Sequence, residues 1–155
     1  MELARNLKVD SVCRLHPTPP LQVPPGKTVA EAVALMRRQG VGCLLVCENG
    51  RLVGVFTERD LMRRVLAAGL PLTTPVADCM TPDPVTVHPK EPVGLAVRRM
   101  EVGGYRHLPV VDSAGRPVGV LSVKRIVHYL AEHFPATVFN QPPDPNVFPT
   151  RPEGA

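Results

Sequence analysis

At 155 residues, with 44% apolar and 21% charged side chains, the chain has the length of one compact domain or two very small ones and the composition of a folded protein. Its formal charge of +4 is modest, and 4% aromatic residues with no Trp leave few rings for stacking on bases, so nucleic-acid binding is disfavoured. No apolar run approaches the roughly 18 residues needed to span a bilayer, which excludes a membrane helix.

In chain order, the first 14 residues form an N-terminal segment. It begins Met-Glu-Leu-Ala-Arg-Asn, without the charge-then-apolar layout of a signal peptide, and the protein is expected to be cytoplasmic. The four cysteines, Cys13, Cys43, Cys47 and Cys79, follow neither C-x-x-C spacing nor a secreted disulfide pattern, which fits reduced, packed thiols. A short strand is predicted over 21–23. Val29, Ala32, Val33 and Met36 then fall at i, i+3, i+4, i+7, the apolar stripe of a helix. Thr28 with Glu31 makes a capping box at its start, and Gly40 stops it. The runs 43–47 and 51–56 read as strands joined at Asn49-Gly50 by a tight hairpin turn. A second helix is predicted over 58–68.

The same order then recurs. Residues 21–61 can be laid on 85–126 with one inserted residue, at the hairpin turn, so that Val29, Ala32, Val33 and Met36 meet Val93, Ala96, Val97 and Met100. Gly54 and Val55 likewise meet Gly119 and Val120. The matches fall on positions assigned to the core, so they report a shared fold. Each unit reads β-α-β-β-α, in an α+β fold. About 60 residues of this kind leave apolar faces uncovered, so the two units are expected to pack on each other. The expected division is 15–69 for the first repeat, 70–79 for the linker, 80–134 for the second repeat and 135–155 for a Pro-rich tail. The arginine pairs Arg37-Arg38, Arg63-Arg64 and Arg98-Arg99 fall on separate helices and read as solvated surface.

Gly54-Val55-Phe56-Thr57-Glu58-Arg59-Asp60-Leu61 resembles the signature of a CBS domain, in which a strand ending G-h-h-[ST]-x-x-D-h runs into a helix. Tyr105 to Asp112, beginning Tyr105-Arg106-His107-Leu108, resembles the family's second strand, and Met80-Thr81-Pro82 the start of a repeat. The resemblance covers about residues 15–134, and two copies in the same order make it specific. It implies tandem CBS repeats related by a pseudo-twofold axis, with two clefts that commonly take AMP, ADP, ATP or a related adenosyl ligand. It further implies a homodimer that regulates an unknown partner protein rather than an enzyme.

The chemistry of the motif points the same way. A carboxylate can accept both the 2′ and 3′ hydroxyls of a ribose, and Asp60 supplies one. Thr57 places a hydroxyl at a helix N-terminus, where free N–H groups favour a polar or anionic ligand. The same two residues can instead be an N-cap and a first-turn acid with no ligand. In the second half Ser122 replaces Thr57, and Arg125 replaces Asp60. A guanidinium cannot accept from a ribose, so the clefts are expected to be unequal. By the family's geometry the adenine pocket is expected around Val55, Thr81, Val85, Tyr105 and Arg106. The second cleft and the phosphate set are expected at Ser122, Arg106, His107, Lys124 and Arg125. Arg106 and His107 can equally be a surface rim.

No metal or cofactor is expected, since His88 and His107 are too far apart in sequence to read as a zinc pair. No nucleophile with its base, P-loop or G-x-G-x-x-G stretch is present, so no catalytic centre is expected. The competing expectation is a constitutive dimerisation or interaction module with vestigial clefts.

Overall fold

The computed structural model describes residue 5 and residues 10–133; the Pro-rich tail and most of the N-terminal segment lie outside the described residues. The first half contains β1 (Gln22–Val23), α1 (Val29–Gln39), β2 (Cys43–Glu48), β3 (Arg51–Thr57) and α2 (Glu58–Asp60), which continues as a π-helical stretch, Leu61–Leu66. A 3-10 turn, Val76–Asp78, and β4 (Thr81–Pro82) follow. The second half contains α3 (Val93–Gly103), β5 (His107–Val111), β6 (Pro117–Ser122) and α4 (Val123–His133).

Local sequence accounts for the boundaries. Thr28 Oγ1 accepts from the Glu31 N–H at 3.2 Å. The reciprocal half of the expected capping box is replaced by a Lys27–Glu31 ion pair at 3.1 Å. Gly40 and Gly104 end α1 and α3 in the left-handed region, φ 65° and 68°. Asn49 and Gly50, φ 52° and 77°, make the tight turn between β2 and β3.

β1 pairs parallel with β2, β2 antiparallel with β3, and β3 antiparallel with β4, giving a four-stranded sheet in sequence order. The second sheet has β5 antiparallel to β6, flanked by single bridges. Val87 joins β5 in parallel at Val110, where the first half has β1 beside β2, and the strand expected over 85–87 is reduced to this one bridge. Thr18 joins β6 at Val120, where the first half has Thr81 beside Val55.

The kinship of the halves extends to individual backbone hydrogen bonds 64 residues apart. Val12 N donates to Glu91 O and Val76 N to Lys27 O; Cys13 N donates to Pro89 O and Ala77 N to Pro25 O; Val93 N donates to Asp10 O and Val29 N to Thr74 O. Each of these bonds crosses to the other unit. The segment leading into the first repeat is thus built into the second half, and the segment leading into the second repeat into the first.

The cores obey the same exchange. One cluster gathers Val29, Ala32, Met36, Leu44, Val46, Phe56 and Val65 with Val76 and Cys79, which follow the first unit in the chain. The other gathers Val93, Ala96, Met100, Leu108, Val110, Leu121, Ile126 and Tyr129 with Val12 and Leu15 of the N-terminal 3-10 turn. Alternation along β2 turns Leu44 and Val46 toward the helices and Cys43 and Leu45 toward the other sheet, where a third cluster closes on Val120. This is the α+β architecture of two β-α-β-β-α units expected from the sequence. Among the described residues no helix is long and apolar enough to cross a membrane.

Candidate functional site

The strand-to-helix corner at the end of β3 holds the one buried charged side chain among the described residues, Asp60, 6% exposed. Burying a carboxylate costs several kcal/mol unless donors surround it, so its partners reveal what the corner is built for. Oδ2 accepts from the Thr57 N–H at 3.0 Å and from the Thr57 hydroxyl at 3.1 Å. Asp60 N–H donates back to Thr57 Oγ1 at 3.2 Å, which completes a capping box. Oδ1 accepts from the Thr81 hydroxyl at 3.0 Å, with the Arg64 Nε at 3.5 Å. Arg64 is fixed in turn, donating to Met80 O at 2.7 Å.

The helix-capping role weighed for Thr57 and Asp60 is therefore present, and it is not the whole account. A capping box engages only one carboxylate oxygen. The second is engaged by Thr81, 21 residues away on β4, which the β3–β4 register brings beside Val55. Arg64, read from the sequence as solvated helix surface, instead reaches Asp60 and Met80 O, and its i+4 spacing from Asp60 on a helix is the legible signal for that pairing.

The second half faces this corner from across the interface. Arg59 donates to Gly104 O at 3.2 Å, so the start of α2 meets the turn that precedes Tyr105, Arg106 and His107. His107 is half-buried, and its pKa is lowered by burial first, with Arg106 and Lys124 adding to the depression and Glu58 of the first half opposing it. Burial, together with the Asp60 carboxylate, pushes the Cys43 thiol up to about 12. Cys43 pairs with Thr57 in the sheet, so that thiol lies protonated beneath the corner.

Of the residues expected around an adenine, the structure joins Val55 and Thr81 as sheet partners at the Asp60 corner. Val85, Tyr105 and Arg106 are exposed. Tyr105 and Arg106 follow directly on Gly104, the point of contact with α2. The phosphate set is gathered at one end of the second sheet. His107 pairs with Ser122, and Val123 N donates to Arg106 O at 3.0 Å, just as Glu58 N donates to Gly42 O at 3.1 Å in the first half. Ser122 Oγ accepts from Arg125 N–H at 3.1 Å, so Arg125 stands in the place of Asp60. Lys124 is exposed. Among the described residues no group of three or more His, Cys, Asp or Glu is arranged to hold a metal ion.

With this geometry in view, the comparisons with known proteins are specific. The family model of the CBS domain matches residues 12–67 and again 76–132. The meiotically up-regulated gene 70 protein of Schizosaccharomyces pombe is 45% identical over 97 residues, 62% of this chain but 13% of that protein, so the chain spans only a small part of that relative. The CBS domain-containing protein YhcV of Bacillus subtilis is 35% identical over 101 residues, covering 65% of this chain and 71% of the relative. Among solved structures, the CBS domain protein PAE2072 from Pyrobaculum aerophilum, complexed with AMP, aligns with a TM-score of 0.71 at 30% identity, over 79% of this chain and 99% of that one. The duplicated backbone pairing, the Thr57–Asp60 corner and these matches agree, and the chain belongs to the CBS-domain family as a tandem pair of that domain.

Proposed function

We propose that the protein is a regulatory, non-catalytic module of the cytoplasm that binds an adenosine nucleotide or a related adenosyl ligand between its repeats and passes the event to a partner protein. The observation that carries this reading is the Asp60 carboxylate, which receives one threonine hydroxyl on each oxygen. Two hydroxyls converging on one carboxylate are what a ribose presents with its adjacent 2′ and 3′ groups. A ribose would exchange hydroxyl for hydroxyl at Asp60, freeing Thr57 and Thr81 to turn toward the ligand. The AMP complexes of PAE2072 and of CBSX2, which is 28% identical, support the ligand class. On this reading Val55, Val85 and Tyr105 flank the adenine, and Arg106 with His107 meets the phosphate. Displacing Thr81 from Asp60 moves β4, the strand that ties the second repeat to the first sheet, so binding energy is coupled to the arrangement of the halves.

Isothermal titration with AMP, ATP and S-adenosylmethionine tests it. At least one is expected to bind saturably, and Asp60→Ala to weaken that ligand by about tenfold or more, as loss of a charge-assisted pair does. Silence for all three, or an Asp60→Ala variant that binds unchanged, removes the reading. The alternative, a constitutive interaction module, draws on the fact that Asp60 is already satisfied by internal donors. A homodimer is part of either reading. Met62 and Val127 are equivalent positions on twofold-related helices, and they stand 64% and 54% exposed, an apolar pair that a second copy would cover.

A further inference from the structure

The two halves part company on their helical faces. In the first half, α1 and the segment after Asp60 enclose a groove of about 780 Å³, floored by Ala30, Val33 and Ala34 on one side and by Leu61, Leu66 and Leu72 on the other. Leu66 and Leu72 stand 60% and 50% exposed, so the groove is open. The π-helical stretch builds its second wall. In an α-helix, residues five apart point about 140° away from each other, whereas the bond from Ala67 N–H to Met62 O widens the turn and brings Leu61 and Leu66 to one side. The counterpart α4 is regular α-helix, and Ala131 takes the place of Leu66. On α3, Arg98 takes the place of Ala34 and Glu101 that of Arg37. The second half therefore lacks the floor and carries an opposite charge on the rim. In the first half that rim is Arg37 and Arg38, both exposed, and no carboxylate of the described residues lines the groove.

From this one-sided construction we propose that the groove is a docking site for an amphipathic helix of the regulated partner, presenting leucine-sized side chains to the floor and carboxylates to the rim. A cleft between two helical segments takes a third helix by its apolar face. Arg37 and Arg38 then make charge-assisted bonds to the partner's acids, which fixes its direction and rejects basic helices. A second copy fits poorly about a twofold axis, since groove against groove gathers both arginine pairs and no acid. Met62 of the proposed dimer face does not line the groove, so the two surfaces are separate. Turns of π-helix are rare and concentrate at functional sites. Leu61 follows Asp60 directly in the chain, so the ribose corner and the groove share one helical segment. The docking site thereby deepens the proposed signalling role, on which it rests for the existence of a partner.

Two synthetic amphipathic helices are the probes, one of leucine and glutamate and the other of leucine and lysine, followed through the leucine methyl NMR signals of the full chain. The glutamate peptide is expected to shift Leu61, Leu66 and Leu72 saturably, with Leu108 and Leu121 in the second half's core unmoved. The lysine peptide is expected to bind about fivefold or more weaker, and Arg37→Glu with Arg38→Glu to reverse that order. Should the double variant lose its cooperative melt, Leu66→Ser, at another exposed position, carries the comparison and is expected to weaken both peptides. Equal affinity for the two peptides, or shifts scattered over all leucines, overturns the site. Shifts of Leu66 and Leu72 on dilution of the protein alone would name a second copy as the occupant, and displacement of the peptide by phosphatidylglycerol vesicles a lipid surface; either overturns the partner helix. Peptide silence in a chain that still binds an adenosyl ligand sinks the groove alone. The converse result removes the ribose reading and leaves the groove standing.

Discussion

Gly54 and Gly119 hold the same place in the two halves, each beneath a segment contributed by the other. A Cβ on Gly54 would lie 2.3 Å from the Met80 sulfur, and one on Gly119 would lie 2.9 Å from Pro17 Cβ and 3.2 Å from the Thr18 carbonyl oxygen. A thioether can rotate away, whereas a proline ring and a backbone carbonyl paired with Val120 cannot. Gly119→Ala is therefore expected to cost about 1–3 kcal/mol in chemical denaturation, and Gly54→Ala clearly less. Equal costs would refute the difference in what lies above each residue. The sequence displayed these glycines as repeated letters of a motif but not their reason, because the atoms they make room for come from far along the chain. Asp60 divides in the same way. Its bonds to Thr57 were legible from i, i+3 spacing, whereas its bond to Thr81 depends on sheet register.

Elements with a strong period were legible. The stripes of α1 and α3 and the two hairpins stand where the pattern placed them, since 3.6-residue and 2-residue periods are visible in a single sequence. The 3-10 turn Val12–Leu15 was not, because four residues carry no period. Yet Val12 and Leu15 are fully or almost fully buried in the second half's core. Val12→Ala and Leu15→Ala are expected to destabilise by roughly 1–4 kcal/mol each, as truncations of buried aliphatic side chains do. Hydrogen exchange should show the loosening concentrated around Val93, Leu108 and Ile126 rather than in the first half. Loosening confined to the first half would mean that the turn belongs to its own repeat. The π-helical stretch Leu61–Leu66 was also beyond the sequence reading. It was foreseen as ordinary helix, and the shift to Ala67 N–H donating to Met62 O at 2.9 Å leaves no mark on an apolar stripe of this length.

For the molecule as a whole, the repeat was the most informative feature, since two weak motifs at matched spacing specify an architecture that neither specifies alone. Assembly follows from the same symmetry. If equivalent helices carry the dimer, light scattering should give twice the 16.8 kDa chain mass, and the double variant Met62→Glu with Val127→Glu should return it to the single value. A wild-type monomer at every concentration tried, or a double variant that still pairs, would rule out that face. The reciprocal lead-in segments have a further consequence. A polypeptide carrying a single unit would possess an arm with no sheet to join and a sheet with no arm upon it. Two such half-length chains could complete each other only by trading arms, as an intertwined pair of single units.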